Sequence, residues 1–109
     1  GSANTDAFDA SNLSVSLNAI VITINYRLSV FGFFDSLGAA NATKTSPLVN
    51  FGILDQRLAL HWALDNAAAF GGDTKRLTLI GQSSGAQSVL IHLAHPDTQP
   101  YVRSVVLMS

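Results

Sequence analysis

The sequence predicts an α/β fold, a partial core of parallel strands joined by crossover helices in the order β-loop-α-β-α-β. Three observations carry that expectation. Short apolar, β-branched runs at 19–26, 76–80 and 103–108 have the length and composition of strands buried on both faces. The stretches 50–69 and 84–93, lying between those runs, change to helical spacing. A helix between consecutive strands implies parallel pairing, with helices covering the faces of the sheet.

Composition narrows the class further. The chain has 109 residues, the size of one small domain, yet only 12% of them are charged, against about 25% in average soluble domains. Mean hydropathy is +0.31, whereas a unit this small has much surface for its volume and should be more polar than average. The longest aliphatic run, Ala19-Ile20-Val21-Ile22-Thr23-Ile24, is far short of the roughly 20 residues that span a bilayer. A transmembrane explanation therefore fails. The expectation is instead the interior of a larger domain, with 1–109 forming part of one unit. An opening on Gly1-Ser2 and an ending inside Val105-Val106-Leu107-Met108 agree with it. A net charge of −1 gives no electrostatic case for nucleic acid. With no cysteine, disulfides and thiolate metal sites are excluded.

Taken in order, residues 1–18 are small and polar and read as loop with about one turn of helix. Asn12-Leu13-Ser14 and Asn41-Ala42-Thr43 have the form of glycosylation acceptors, although such tripeptides also arise by chance. Residues 19–26 form the first strand. Tyr26, Phe31, Phe33 and Phe34 lie in or beside the connection that follows, where core packing is expected ahead of a substrate-pocket role. A Gly/Ala/Ser/Thr/Asn loop occupies 35–47. In the helix at 50–69, Leu54, Leu58 and Trp62 share the predicted core face. Asp55 suits the positive end of its dipole, and His61 is read as a satisfied or solvent-facing side chain. Gly71-Gly72 ends that helix, and His95-Pro96 stops the next.

The chemistry centres on Gly81-Gln82-Ser83-Ser84-Gly85. A strand before this G-x-S-x-G and a helix after it are the context of a nucleophile elbow, a sharp turn that presents a serine hydroxyl. By composition alone the bare pentapeptide occurs in roughly 3% of chains this long, so the context carries the argument. Ser83 is the candidate nucleophile, and the backbone N–H of Ser84 is the candidate oxyanion donor at the start of a helix. Gly81 and Gly85 are expected to let strand and helix approach where a Cβ would clash. The base is missing. His92 lies about 13 Å along the helix from Ser83 at 1.5 Å per residue. After Ser83 the only acid is Asp97, and no histidine follows Asp97. His92 and His95 are expected to be helix-end residues and not metal ligands, so no metal site is expected.

A longer pattern surrounds the pentapeptide. Phe70-Gly71-Gly72, four residues, Leu77, one residue, Leu79, one residue and then Gly81 through Gly85 resembles the serine signature of the type-B carboxylesterases. That family comprises the lipases, esterases and cholinesterases of the α/β-hydrolase fold. Asn25-Tyr26-Arg27-Leu28, Asp55-Gln56-Arg57-Leu58 and Asp65-Asn66 are similar to further family blocks. Phe8-Asp9-Ala10 and Thr74 are mild departures from it. The resemblance implies a carboxylic-ester hydrolase acting through an acyl-serine at Ser83, on a small-molecule or lipid ester, with no cofactor. It implies secretion, and it places the triad histidine, the acid and a glycine oxyanion loop outside these residues. Gln82 stands where cholinesterases carry a glutamate for a cationic substrate, which points toward a general esterase or lipase. A non-catalytic adhesion homologue of the same fold is the rival reading, opposed by the retention of Ser83. A truncated, inactive product is a third.

Overall fold

A computed structural model describes residues 3, 5, 6, 9–33 and 50–109. Helix α1 (Ser11–Leu17) is longer than the single turn expected. Asp9 Oδ1 starts it by accepting the Ser11 N–H at 2.9 Å, and Asn18 ends it in the left-handed region at φ 46°. The short α2 (Ser29–Phe33) and the long α3 (Phe51–Asn66) follow. A 3-10 turn (Ala67–Phe70) extends α3 to Gly71 at φ 82°. There a side chain would be strained, and the Gly71 and Gly72 N–H groups close on Ala68 O and Ala67 O.

Strand β1 (Leu77–Gln82), helix α4 (Ser84–Ala94) and strand β2 (Val102–Met108) form the site-bearing unit. The strands pair in parallel, with Leu79 opposite Val105 and Gln82 opposite Met108. Helix α4 packs on both strands, as the order β-α-β requires. Among the described residues the apolar core reduces to Leu60 of α3 and Val89 of α4.

Four expectations need correcting. Residues 19–26 form no ladder, and Ile20, Ile22 and Ile24 are 42%, 42% and 37% exposed. β-branched composition marks a surface that fits a sheet, but pairing needs a neighbour, and none pairs with it among the described residues. Leu58 and Trp62, read as core, are 71% and 52% exposed, because α3 turns Gly52, Gln56 and Leu60 inward instead. Trp62 and Leu58 line an open hollow with Ile22 and Ile24. Asp55 lies beyond the first turn of α3, and its carboxylate is taken by a side chain, not by the helix dipole. Phe31 and Phe33, expected in core packing, are both exposed. Phe34, the loop at 35–47 and the Asn41 tripeptide lie outside the described residues.

What holds residues 19–28 to α3 is Arg27. Its guanidinium donates Nε to Asp55 Oδ2 at 2.7 Å and Nη2 to Oδ1 at 2.6 Å, and its backbone N–H adds a third bond at 3.0 Å. The guanidinium also lies 4.8 Å from the centre of the Phe51 ring. The fork matches a carboxylate bidentately. These side-chain and backbone hydrogen bonds hold the Asp55 carboxyl at about 2.

Candidate active site

The last residues of β1 and the first of α4 build the site. Ser83 sits between them at φ 54°, ψ −120°, a region costly for any residue with a Cβ, by about 1–3 kcal/mol. The surroundings fix this conformation. Its N–H donates to Met108 O of β2 at 2.8 Å, and its carbonyl accepts from the Ala86 and Gln87 N–H groups at 2.9 and 3.4 Å. Gly81 makes the turn sterically feasible. A Cβ there would lie 2.3 Å from Gly85 O and 2.4 Å from Gly85 C. The close approach is one-sided. A Cβ on Gly85 would meet nothing within 4 Å, because it is the Gly85 backbone, not its Cα hydrogen, that faces Gly81. The clash expected at both glycines is thus found at Gly81 alone.

The Ser83 side chain is unusual for its position. A serine opening a helix ordinarily accepts a hydrogen bond from the first-turn N–H groups, with its backbone in the extended region. Ser83 has the wrong backbone for that role, and its hydroxyl makes no capping bond. It is exposed. Ser84 and Gly85, the first two residues of α4, donate their N–H groups to no backbone carbonyl among the described residues. A free hydroxyl thus stands beside two free donors at the positive end of a helix, where developing negative charge is stabilised. Gln82 is exposed, and its Nε2 donates to Ser109 O at 3.1 Å, leaving a neutral amide next to the serine.

The three histidines are engaged elsewhere. His61 Nε2 meets Asp97 Oδ2 at 3.0 Å, bearing out its reading as a satisfied side chain, and this contact is the main cause of a lowered Asp97 carboxyl. His95 lies 3.2 Å from Arg57 Nη1 through Nε2 and accepts the Asp97 N–H at 3.2 Å through Nδ1. One neutral tautomer can accept only one of those two bonds. His92 is buried, and burial is the first cause of its lowered pKa. Its Nε2 lies 3.0 Å from Gln56 Oε1. No histidine is placed against Ser83 by any of these bonds. Among the described residues, no group of three acidic or histidine side chains could hold a metal. No helix there is long and apolar enough to cross a membrane.

One cluster escaped the sequence reading. Gln56 of α3 and Ser88 and His92 of α4 are 5%, 9% and 6% exposed and hydrogen-bonded together. The available signal was the spacing of Ser84, Ser88 and His92, four apart on one face of a mostly apolar helix.

Comparisons with known proteins bear on the family and the fold of the chain. A family model described as "Carboxylesterase family" matches residues 1–109. Acetylcholinesterase of Electrophorus electricus is 43% identical over 109 residues, all of this chain and 16% of that protein. Acetylcholinesterase of Gallus gallus is 42% identical over the same length, 14% of its own. A solved thermophilic PNB esterase superposes with a TM-score of 0.84 at 35% identity, over 96% of this chain and 21% of that one. The chain therefore spans about a sixth of the length of the curated relatives it matches.

Proposed function

This chain belongs to the carboxylesterase family, and from that premise we propose that it carries the nucleophile of a carboxylic-ester hydrolase working through an acyl-serine intermediate. The observation that supports this most is Ser83 itself: a strained backbone, an uncommitted hydroxyl and a helix N-terminus directly beyond. Strain of this kind persists where surroundings over-determine it, and it clusters at functional sites. In the reaction a base takes the Ser83 Oγ–H proton as Oγ attacks the ester carbonyl. The Ser84 N–H, and donors from the remainder of the protein, stabilise the oxyanion. Collapse expels the alcohol, and water then hydrolyses the acyl-serine.

The base belongs to the rest of the protein in this reading, since His61, His92 and His95 have other partners. Residues 1–109 are accordingly part of one catalytic domain, and the remaining residues cover the apolar face of Ile22, Ile24 and Trp62. The isolated 109 residues hydrolyse no ester above background. The substrate is a neutral ester, small or lipid, because Gln82 offers an amide already bonded to Ser109 O and no negative charge. Secretion is part of the same proposal, supported by an exposed Asn12 in Asn12-Leu13-Ser14.

The test is turnover of uncharged p-nitrophenyl esters by the intact protein. Hydrolysis should fall at least about a thousandfold in Ser83→Ala, and kcat/KM should be higher for the uncharged ester than for its quaternary-ammonium counterpart. A folded but inactive intact protein would overturn the hydrolase reading and leave a binding homologue in its place.

A further inference from the structure

We propose that Gln56, Ser88 and His92 form a positioning relay that fixes the first turn of α4, and with it the Ser84 N–H, for acylation of Ser83. This proposal deepens the hydrolase reading and rests on it.

The direction of each hydrogen bond is forced by chemistry. Gln56 Nε2 can only donate, so Ser88 Oγ accepts from it at 3.1 Å. The Ser88 hydroxyl proton is then free to go one turn back, to Ser84 O at 3.2 Å. Gln56 Oε1 can only accept, so His92 Nε2 carries the proton across the 3.0 Å between them. The chain of donors therefore runs from His92 through Gln56 and Ser88 and ends on the carbonyl of the residue that follows the nucleophile.

Two features separate this from ordinary helix packing. All three side chains are buried in the contact between α3 and α4, where apolar groups of similar shape would pack without desolvation cost. A serine bonding back to the carbonyl four residues earlier slightly loosens a helix on its own. Here Gln56 holds that hydroxyl from the other side, so the bond becomes a strut from α3 to the first turn of α4. Met108 O anchors the elbow from the strand side through the Ser83 N–H. The relay anchors it from the helix side, and between the two lies the Ser83–Ser84 peptide whose N–H faces the developing charge. An oxyanion donor acts only when its geometry is set beforehand, and small misplacements are costly.

The experiment follows single-turnover labelling of the intact protein by a fluorophosphonate, resolving the maximal rate from the half-saturating concentration. Ser88→Ala should slow the maximal rate about tenfold with the half-saturating concentration unchanged and a cooperative thermal transition retained. Ser88→Thr, which keeps the hydroxyl, should restore the rate to within about twofold of the parent. Gln56→Met should slow labelling as Ser88→Ala does, and the double variant should be no slower than either, because both break one relay. Labelling of Ser88→Ala at the parent rate, failure of Ser88→Thr to rescue it, or additive losses in the double variant would each overturn the relay. A Ser88→Ala that does not fold would also count against it, since a device that positions Ser84 predicts a folded, slow protein. No labelling of the unsubstituted protein would remove the hydrolase reading as well, which distinguishes the two failures.

Discussion

The two ends of α4 obey opposite rules. At the C-terminal end the side chains of His92, His95, Asp97 and Thr98 all find partners. Thr98 is fully buried and its hydroxyl donates to His92 O, while Asp97, His61, Arg57 and His95 interlock beside it. At the N-terminal end Ser83 holds a disfavoured backbone and its hydroxyl serves no cap. One helix thus has one end built for stability and one end that gives stability up. A local rule broken at a position the surroundings hold in place is where function is to be sought.

The largest effect should separate the ends most sharply. Ser83→Gly removes the Cβ from a positive-φ position, so it should raise stability by about 1 kcal/mol while abolishing ester hydrolysis; thermal melts beside turnover assays check both halves. Thr98→Val should do the reverse. It leaves the His92 carbonyl without the Thr98 hydroxyl, costing about 1–2 kcal/mol, yet the labelling rate at Ser83 should stay at the parent value. Next come the two glycines. Gly81→Ala forces a Cβ against the Gly85 backbone and should cost about 1–3 kcal/mol together with the activity, whereas Gly85→Ala should be milder by chemical denaturation.

The smallest effect lies away from both ends, at the Arg27–Asp55 clamp. Asp55 has a folded pKa of about 2 against an ordinary 3.8. A depressed carboxyl contributes stability above its unfolded pKa and loses it as pH falls through the folded one. The contribution is therefore intact above pH 4 and fades between about pH 4 and 2. Urea midpoints of the parent should converge with those of Asp55→Asn across that window, and a constant gap would contradict the assignment.

The β1-α4-β2 unit was legible because its signals are local. The Leu77–Gln82 strand, the Gly-x-Ser-x-Gly turn and His95-Pro96 each act over a few residues. Residues 19–26 were misjudged because a strand is a relation to a neighbour, which composition does not supply. Trp62 and Leu58 were assigned inward on helical spacing, but spacing fixes which residues share a face and not which face turns inward. Of the site, Ser83 and Gly81 were legible from the motif. The tie of Ser83 to Met108 O and the Gln56–Ser88–His92 cluster depend on contacts across 25 residues or more, and no local pattern encodes those pairings.

The central claim is that Ser83 is the nucleophile. The most direct measurement is fluorophosphonate labelling of the intact protein followed by peptide mapping. The account predicts a single adduct on Ser83 and none in Ser83→Ala. An adduct on any other residue, or labelling that persists in Ser83→Ala, would contradict it.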